Sequence, residues 1–133
     1  MNTKSLMTLS AIILALIGIS LIFLPNEILD YLELSVSETL QLLMQIIGSL
    51  YFALAILNWM SKGSFIGGIY NRPIAMANLT HFVIAGLALI KGIVANPSLS
   101  YVIWSIAIIY SMFAIFFGIV AFRHPVSENN HIE

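Results

Sequence analysis

Four apolar runs, each about as long as a bilayer core is thick, leave this chain few ways to fold. They cover residues 5–24, 37–60, 74–95 and 99–122, and a helix needs about 20 mostly apolar residues to cross the hydrocarbon. No water is available there to bond backbone amides, so a spanning segment must be a helix or part of a closed barrel. The period-two alternation of barrel strands is absent from all four runs. The expected fold is therefore all-α: a single four-helix transmembrane bundle over residues 1–133, with a polar cytoplasmic tail at 123–133. Composition agrees. Sixty per cent of the 133 residues are hydrophobic and 8% are charged, whereas a soluble domain carries roughly a quarter charged residues. A soluble chain this short cannot cover so much apolar surface.

Lys4 ahead of the first run resembles the start of a signal peptide, but the run from Leu6 to Leu24 is longer than such a core and no small-x-small cleavage site follows it. A retained helix is expected. Pro25 then opens a short segment with Ile28, Leu29 and Leu32 on one side and Asn26, Glu27, Asp30 and Glu33 on the other, a pattern suited to a helical turn or two in the interface. Ser35 and Glu38 have capping-box spacing and mark the second helix. Asn71-Arg72-Pro73 opens the third, and Asn96-Pro97-Ser98 is a tight turn before the fourth.

Basic residues orient the chain. Lys4, Lys62, Arg72 and Arg123 fall on one side, while the first loop carries only acidic charge. The positive-inside rule then places both termini and the 61–72 loop in the cytoplasm. Lys91, about a turn from the opposite end of the third run, can snorkel outward. Net charge is −1, so no global field recruits nucleic acid.

Core and lipid are equally apolar, so seams must be read from small and polar residues. In the second helix Gln41, Gln45, Gly48, Phe52, Ala55 and Trp59 share a face, flanked by Tyr51 and Asn58. In the third, Asn78, His81, Ala85, Ala88 and Gly92 do, and in the fourth Trp104, Ile108, Ser111, Ile115, Gly118 and Phe122. Three seams of this period predict a left-handed bundle. Helices two and three are expected to meet through Gly48, Ala55, Ala85 and Ala88, and Gln41 with Gln45 to form a polar pair that Lys91 or Glu38 joins. A short match between Ala15-Leu16-Ile17-Gly18-Ile19 and Ala88-Leu89-Ile90-Lys91-Gly92-Ile93 hints at an internal repeat.

His81 is the one ionisable residue deep in a span. It either fixes helix register through a hydrogen bond or binds a ligand or handles protons. Asn78, Asn58, Tyr51 and Arg72 complete the candidate ligand site, with Arg72 placing positive charge over a cytoplasmic entrance. Lys62 and Arg72 in the glycine-containing loop suit lipid phosphate or interfacial anchoring. No cysteine is present and no carboxylate lies within a span. Thiolate redox chemistry is excluded, and intramembrane hydrolysis and paired-histidine haem ligation lack their residues. No catalytic residue, cofactor or metal is therefore expected.

The segments Asn58-Trp59-Met60, Ile66-Gly67-Gly68-Ile69-Tyr70-Asn71-Arg72-Pro73 and Asn78-x-x-His81-Phe82 resemble small bacterial four-helix membrane proteins loosely grouped as DoxX-like. The resemblance implies a bacterial inner-membrane location and, for some of that group, an accessory role in quinone-linked complexes. The expected function is non-enzymatic: binding of lipid or another hydrophobic ligand, or service as an accessory subunit. The alternative is a quinone- or proton-linked redox or transport component using His81. Membrane lipids are the expected partners, together with further copies of the chain or a larger membrane complex.

Overall fold

Every long helix begins where a polar side chain captures its first free amides or where proline sets its first turn. The computed structural model describes residues 2–63 and 71–122. Asn2 accepts from the Lys4 amide at 3.1 Å and starts α1, Thr3–Phe23. The short α2, Pro25–Tyr31, follows at once, so the segment after Pro25 is helical as expected. Ser37 caps α3, Glu38–Ser61, through the Leu40 amide at 3.2 Å. The capping-box assignment to Ser35 is thus corrected by two residues: only Ser37 sits in extended backbone one position before the first helical turn. α4 spans Arg72–Ala95 with Pro73 in its first turn, and α5 spans Tyr101–Phe122. Between them Asn96 accepts from both the amide and the hydroxyl of Ser98, at 3.2 and 2.6 Å, closing the expected turn.

The described residues contain five helices and no strand. Four helices are long and apolar enough to cross a membrane. Their outward faces are as apolar as their inner ones: Leu16, Leu50, Val94 and Ile115 are 62%, 66%, 75% and 63% exposed. Water would not tolerate such a surface, so the chain is a multi-pass membrane protein. Of the sequence elements, Ser64–Tyr70 of the glycine-containing loop and the 123–133 tail lie outside the described residues.

The chain divides into two units, 1–64 and 65–133. In the first, α1 and α3 run antiparallel and touch at the backbone. A methyl group on Gly18 would lie 2.8 Å from the Gly48 carbonyl oxygen and 2.9 Å from the Phe52 amide nitrogen, and one on Gly48 would lie 2.8 Å from the Gly18 oxygen. Only glycine permits that approach. Gln41 donates to Asn26 Oδ1 at 2.6 Å and Gln45 to the Ile22 carbonyl at 3.5 Å. The two glutamines therefore tie α3 to α1 and α2 rather than forming their own pair. The inward side of α3 runs through Gln41, Met44, Gly48, Tyr51, Ala55 and Asn58, while Phe52 and Trp59 face outward, 37% and 50% exposed.

In the second unit α4 and α5 are joined by rings. Phe82 is fully buried, stacked on Phe113 at 4.8 Å and Phe117 at 5.6 Å and edge-on to Tyr110 at 5.1 Å. The buried residues of α5 are Ala107, Tyr110, Phe113, Phe117, Val120 and Ala121. The expected α5 seam is corrected: Trp104, Ile108, Ile115 and Phe122 are exposed. On α4 Phe82 and Gly86 are buried and Ala88 is exposed, so the expected stripe is rotated by about one residue. The proposed repeat is not a repeat of role, because Gly18 touches backbone while a methyl on Gly92 would meet only Leu99 Cδ1, at 3.9 Å.

Candidate functional site

The five residues expected to form a site are divided between the two units. Tyr51 and Asn58 belong to α3, one half-buried and one buried. Asn58 donates to Ser10 Oγ at 3.1 Å, and Ser10 donates in turn to the Met7 carbonyl at 3.0 Å. This short polar chain joins α3 to α1 deep in the apolar pair, and Ser10 was not among the expected residues. Its signal was a serine in the first run, too common a residue to single out.

Arg72, Asn78 and His81 lie on α4. Arg72 is exposed at its first turn, nine residues before His81, or about 13 Å along the axis. Asn78 is buried and donates to the Ile74 carbonyl of its own helix at 2.9 Å. His81 is half-buried, with its ring 5.2 Å from that of Phe82 and 5.6 Å from that of Tyr110. Its neighbour Phe82 belongs to the interior of the aromatic stack. Among the described residues no group of three or more His, Asp or Glu could hold a metal ion.

Each unit also carries an apolar groove. On the first, Ala11, Ala15 and Ala55 leave a depression of about 340 Å³, walled by Ile12, Leu16, Phe52, Ile56 and Trp59. It exists because small side chains follow the Gly18–Gly48 contact, so that the helices are held close while their outer edges are not filled. On the second unit, Ile93 and Ala107 lie in a groove of about 410 Å³ bordered by Trp104, Ile108, Met112 and Ile115. The chain has two tryptophans, and each lines one groove. Trp59 is two residues from the end of α3 and Trp104 three from the start of α5, where indoles meet the headgroup layer. Lys62 places its ammonium 2.9 Å from the centre of the Trp59 ring. His81 lines neither of these grooves.

No family model, curated protein or solved structure matches this chain. What can be read of its role therefore rests on its own geometry. Apolar grooves with an indole at one end and no charged wall exclude water and accept a flexible chain of methylenes by dispersion and burial.

Proposed function

We propose that this chain is a non-enzymatic membrane protein that holds a lipid or similar hydrophobic ligand against the α1–α3 hairpin. It resides in the bacterial inner membrane with both termini cytoplasmic, an orientation supported by Lys4, Lys62 and Arg72 at the ends of α1, α3 and α4. The observation that carries the role is the groove over Ala11, Ala15 and Ala55, closed at one end by Trp59. An accessory role in a larger complex would use the same outward faces.

The test is ligand content. Protein extracted in mild detergent is expected to retain one hydrophobic molecule per chain in native mass spectra, and Ala15→Leu, which fills the depression, should lose it. Leu87→Ala, on an exposed face of α4 (61% exposed), should keep it. Equal ligand content in Ala15→Leu and wild type would overturn the proposal.

A second reading, a quinone- or proton-linked component using His81, draws on the contact between the His81 and Tyr110 rings. It predicts that His81→Gln keeps thermal stability and loses a bound quinone or a pH response. Unchanged quinone content and pH response would remove it.

A further inference from the structure

The α1–α3 hairpin is polarised in charge along its length, and its groove lies toward the basic end. Ser10 faces Asn58 and Gly18 faces Gly48, so Lys4 and Lys62 stand at the same end of the antiparallel pair. Lys4 lies six residues before Ser10 and Lys62 four after Asn58, about 9 and 6 Å further along the axis. The opposite end holds Glu27, Asp30, Glu33 and Glu38 and no basic residue. Groove residues begin at Ala11, one residue inside the Ser10–Asn58 level, and at Trp59, one residue outside it toward the lysines. The ring of Trp59 forms part of the groove and also carries the Lys62 ammonium on its face at 2.9 Å. That contact satisfies the cation electrostatically and leaves ammonium N–H donors for an acceptor on the side away from the ring.

From this arrangement we infer that the occupant of the groove is an anionic phospholipid: one acyl chain lies over Ala11, Ala15 and Ala55, and the headgroup phosphate sits between Lys62 and Lys4. The inference rests on the lipid-holding role of the groove and adds the class and direction of the ligand. Charge complementarity selects it. A net-negative headgroup at this end gains attraction from both lysines, worth about 1 kcal/mol each near a membrane surface, and the same headgroup at the other end would face four carboxylates. A zwitterionic headgroup gains less, because its own ammonium competes for the phosphate. The apolar part has no direction of its own, so the lysines decide which way round the lipid sits.

The experiment uses the full chain, delipidated in neutral detergent and offered equal amounts of phosphatidylglycerol and phosphatidylcholine with identical acyl chains. Native mass spectrometry reads the bound ratio. Wild type is expected to favour phosphatidylglycerol about thirty-fold, the ratio that about 1 kcal/mol from each of the two lysines implies. Lys62→Gln should reduce that preference about five-fold while leaving phosphatidylcholine binding unchanged, and Lys62→Arg should restore most of it. Ala15→Leu should lower both lipids alike; where it also lowers yield, Ile56→Trp, on an exposed wall (46% exposed), blocks the same space from outside. Equal binding of the two lipids by wild type, both lost in the groove-filling variant, would overturn the anionic inference and leave the groove reading standing. A phosphatidylglycerol preference unmoved by Lys62→Gln and Lys4→Gln would place the headgroup elsewhere and also overturn it. Lipid binding unaffected by either groove-filling variant would overturn both.

Discussion

The α1–α3 and α4–α5 hairpins each join two apolar helices in a solvent as apolar as they are, and they do it by opposite means. α1 and α3 bring their backbones together at Gly18 and Gly48 and add polar bonds along the seam, from Ser10–Asn58 to Ile22–Gln45. α4 and α5 interleave large rings, with Phe82 between Phe113 and Phe117. Lipid removes the usual hydrophobic advantage of burial, which leaves close packing and interhelical hydrogen bonds to hold helices together. One hairpin gains its packing by removing side chains and the other by filling the space between helices. The first should therefore fail when atoms are added and the second when they are removed.

The largest effect is expected where the second hairpin loses a ring. Phe82→Ala leaves a void among Tyr110, Phe113 and Phe117 and should cost about 2–3 kcal/mol, the packing lost around the cavity, in a reversible unfolding titration in mixed micelles. A cost below that of Leu87→Ala would show that the stack is incidental.

Glycine substitutions sharpen the contrast by sign. Gly18→Ala or Gly48→Ala forces the α1 and α3 backbones apart and should destabilise by about 1–3 kcal/mol. Gly86→Ala in the other hairpin places its methyl 3.7 Å from Tyr110 Cβ, an ordinary contact. It should be neutral or stabilise by up to about 1 kcal/mol through helix propensity. The comparison breaks if Gly18→Ala and Gly86→Ala shift the unfolding midpoint in the same direction by the same amount.

The polar component of the first hairpin is smaller. A double-mutant cycle between Ser10→Ala and Asn58→Leu should return a coupling of about 0.6–1.7 kcal/mol, the range for interhelical hydrogen bonds in lipid. Additive effects would assign the pair no role in holding α1 to α3.

The smallest effect concerns the connections. The turn at Asn96 is closed by its own side chain, whereas α2 ends on a non-glycine residue in the left-handed region, Glu33 at φ 56°. The Leu34 amide bonds the Leu29 carbonyl at 3.0 Å and the Glu33 amide that of Asp30 at 3.1 Å, the bonding of a Schellman cap. Glu33→Gly should relieve the strain and stabilise the first unit by a few tenths to about 1 kcal/mol. A loss of stability would mean that the Glu33 side chain contributes more than its backbone costs.

Length and apolarity placed the spans from sequence within about two residues, and with them the all-α class, the short helical segment after Pro25 and the turn at Asn96. These are properties that each segment carries alone, since a run of about 20 apolar residues has one way to satisfy its amides in hydrocarbon. Rotation of each helix about its axis was not legible in the same way. The α3 seam was expected with the right period and with Gly48 and Ala55 correctly inward, but Phe52 and Trp59 face outward where Tyr51 and Asn58 turn in. On α5, small and polar residues marked the wrong side, because that interface is aromatic and the stripe through Gly118 is not its centre. Hydropathy cannot separate the two faces of a helix whose surroundings are apolar on every side.

The candidate site divides along the same line. His81, Asn58 and Asn78 stand out in sequence because a polar group in a span is rare, and rarity needs no partner to be seen. The groove is built from alanines and ordinary aliphatic residues on two helices forty residues apart, and nothing about Ala11, Ala15 or Ala55 taken singly distinguishes them. Sequence alone determined that this chain has four helices long and apolar enough to cross a membrane and where its charges fall along them. Tertiary structure decided which helices touch, which residues lie between them and where a space remains, because those follow from how two surfaces of equal hydrophobicity fit.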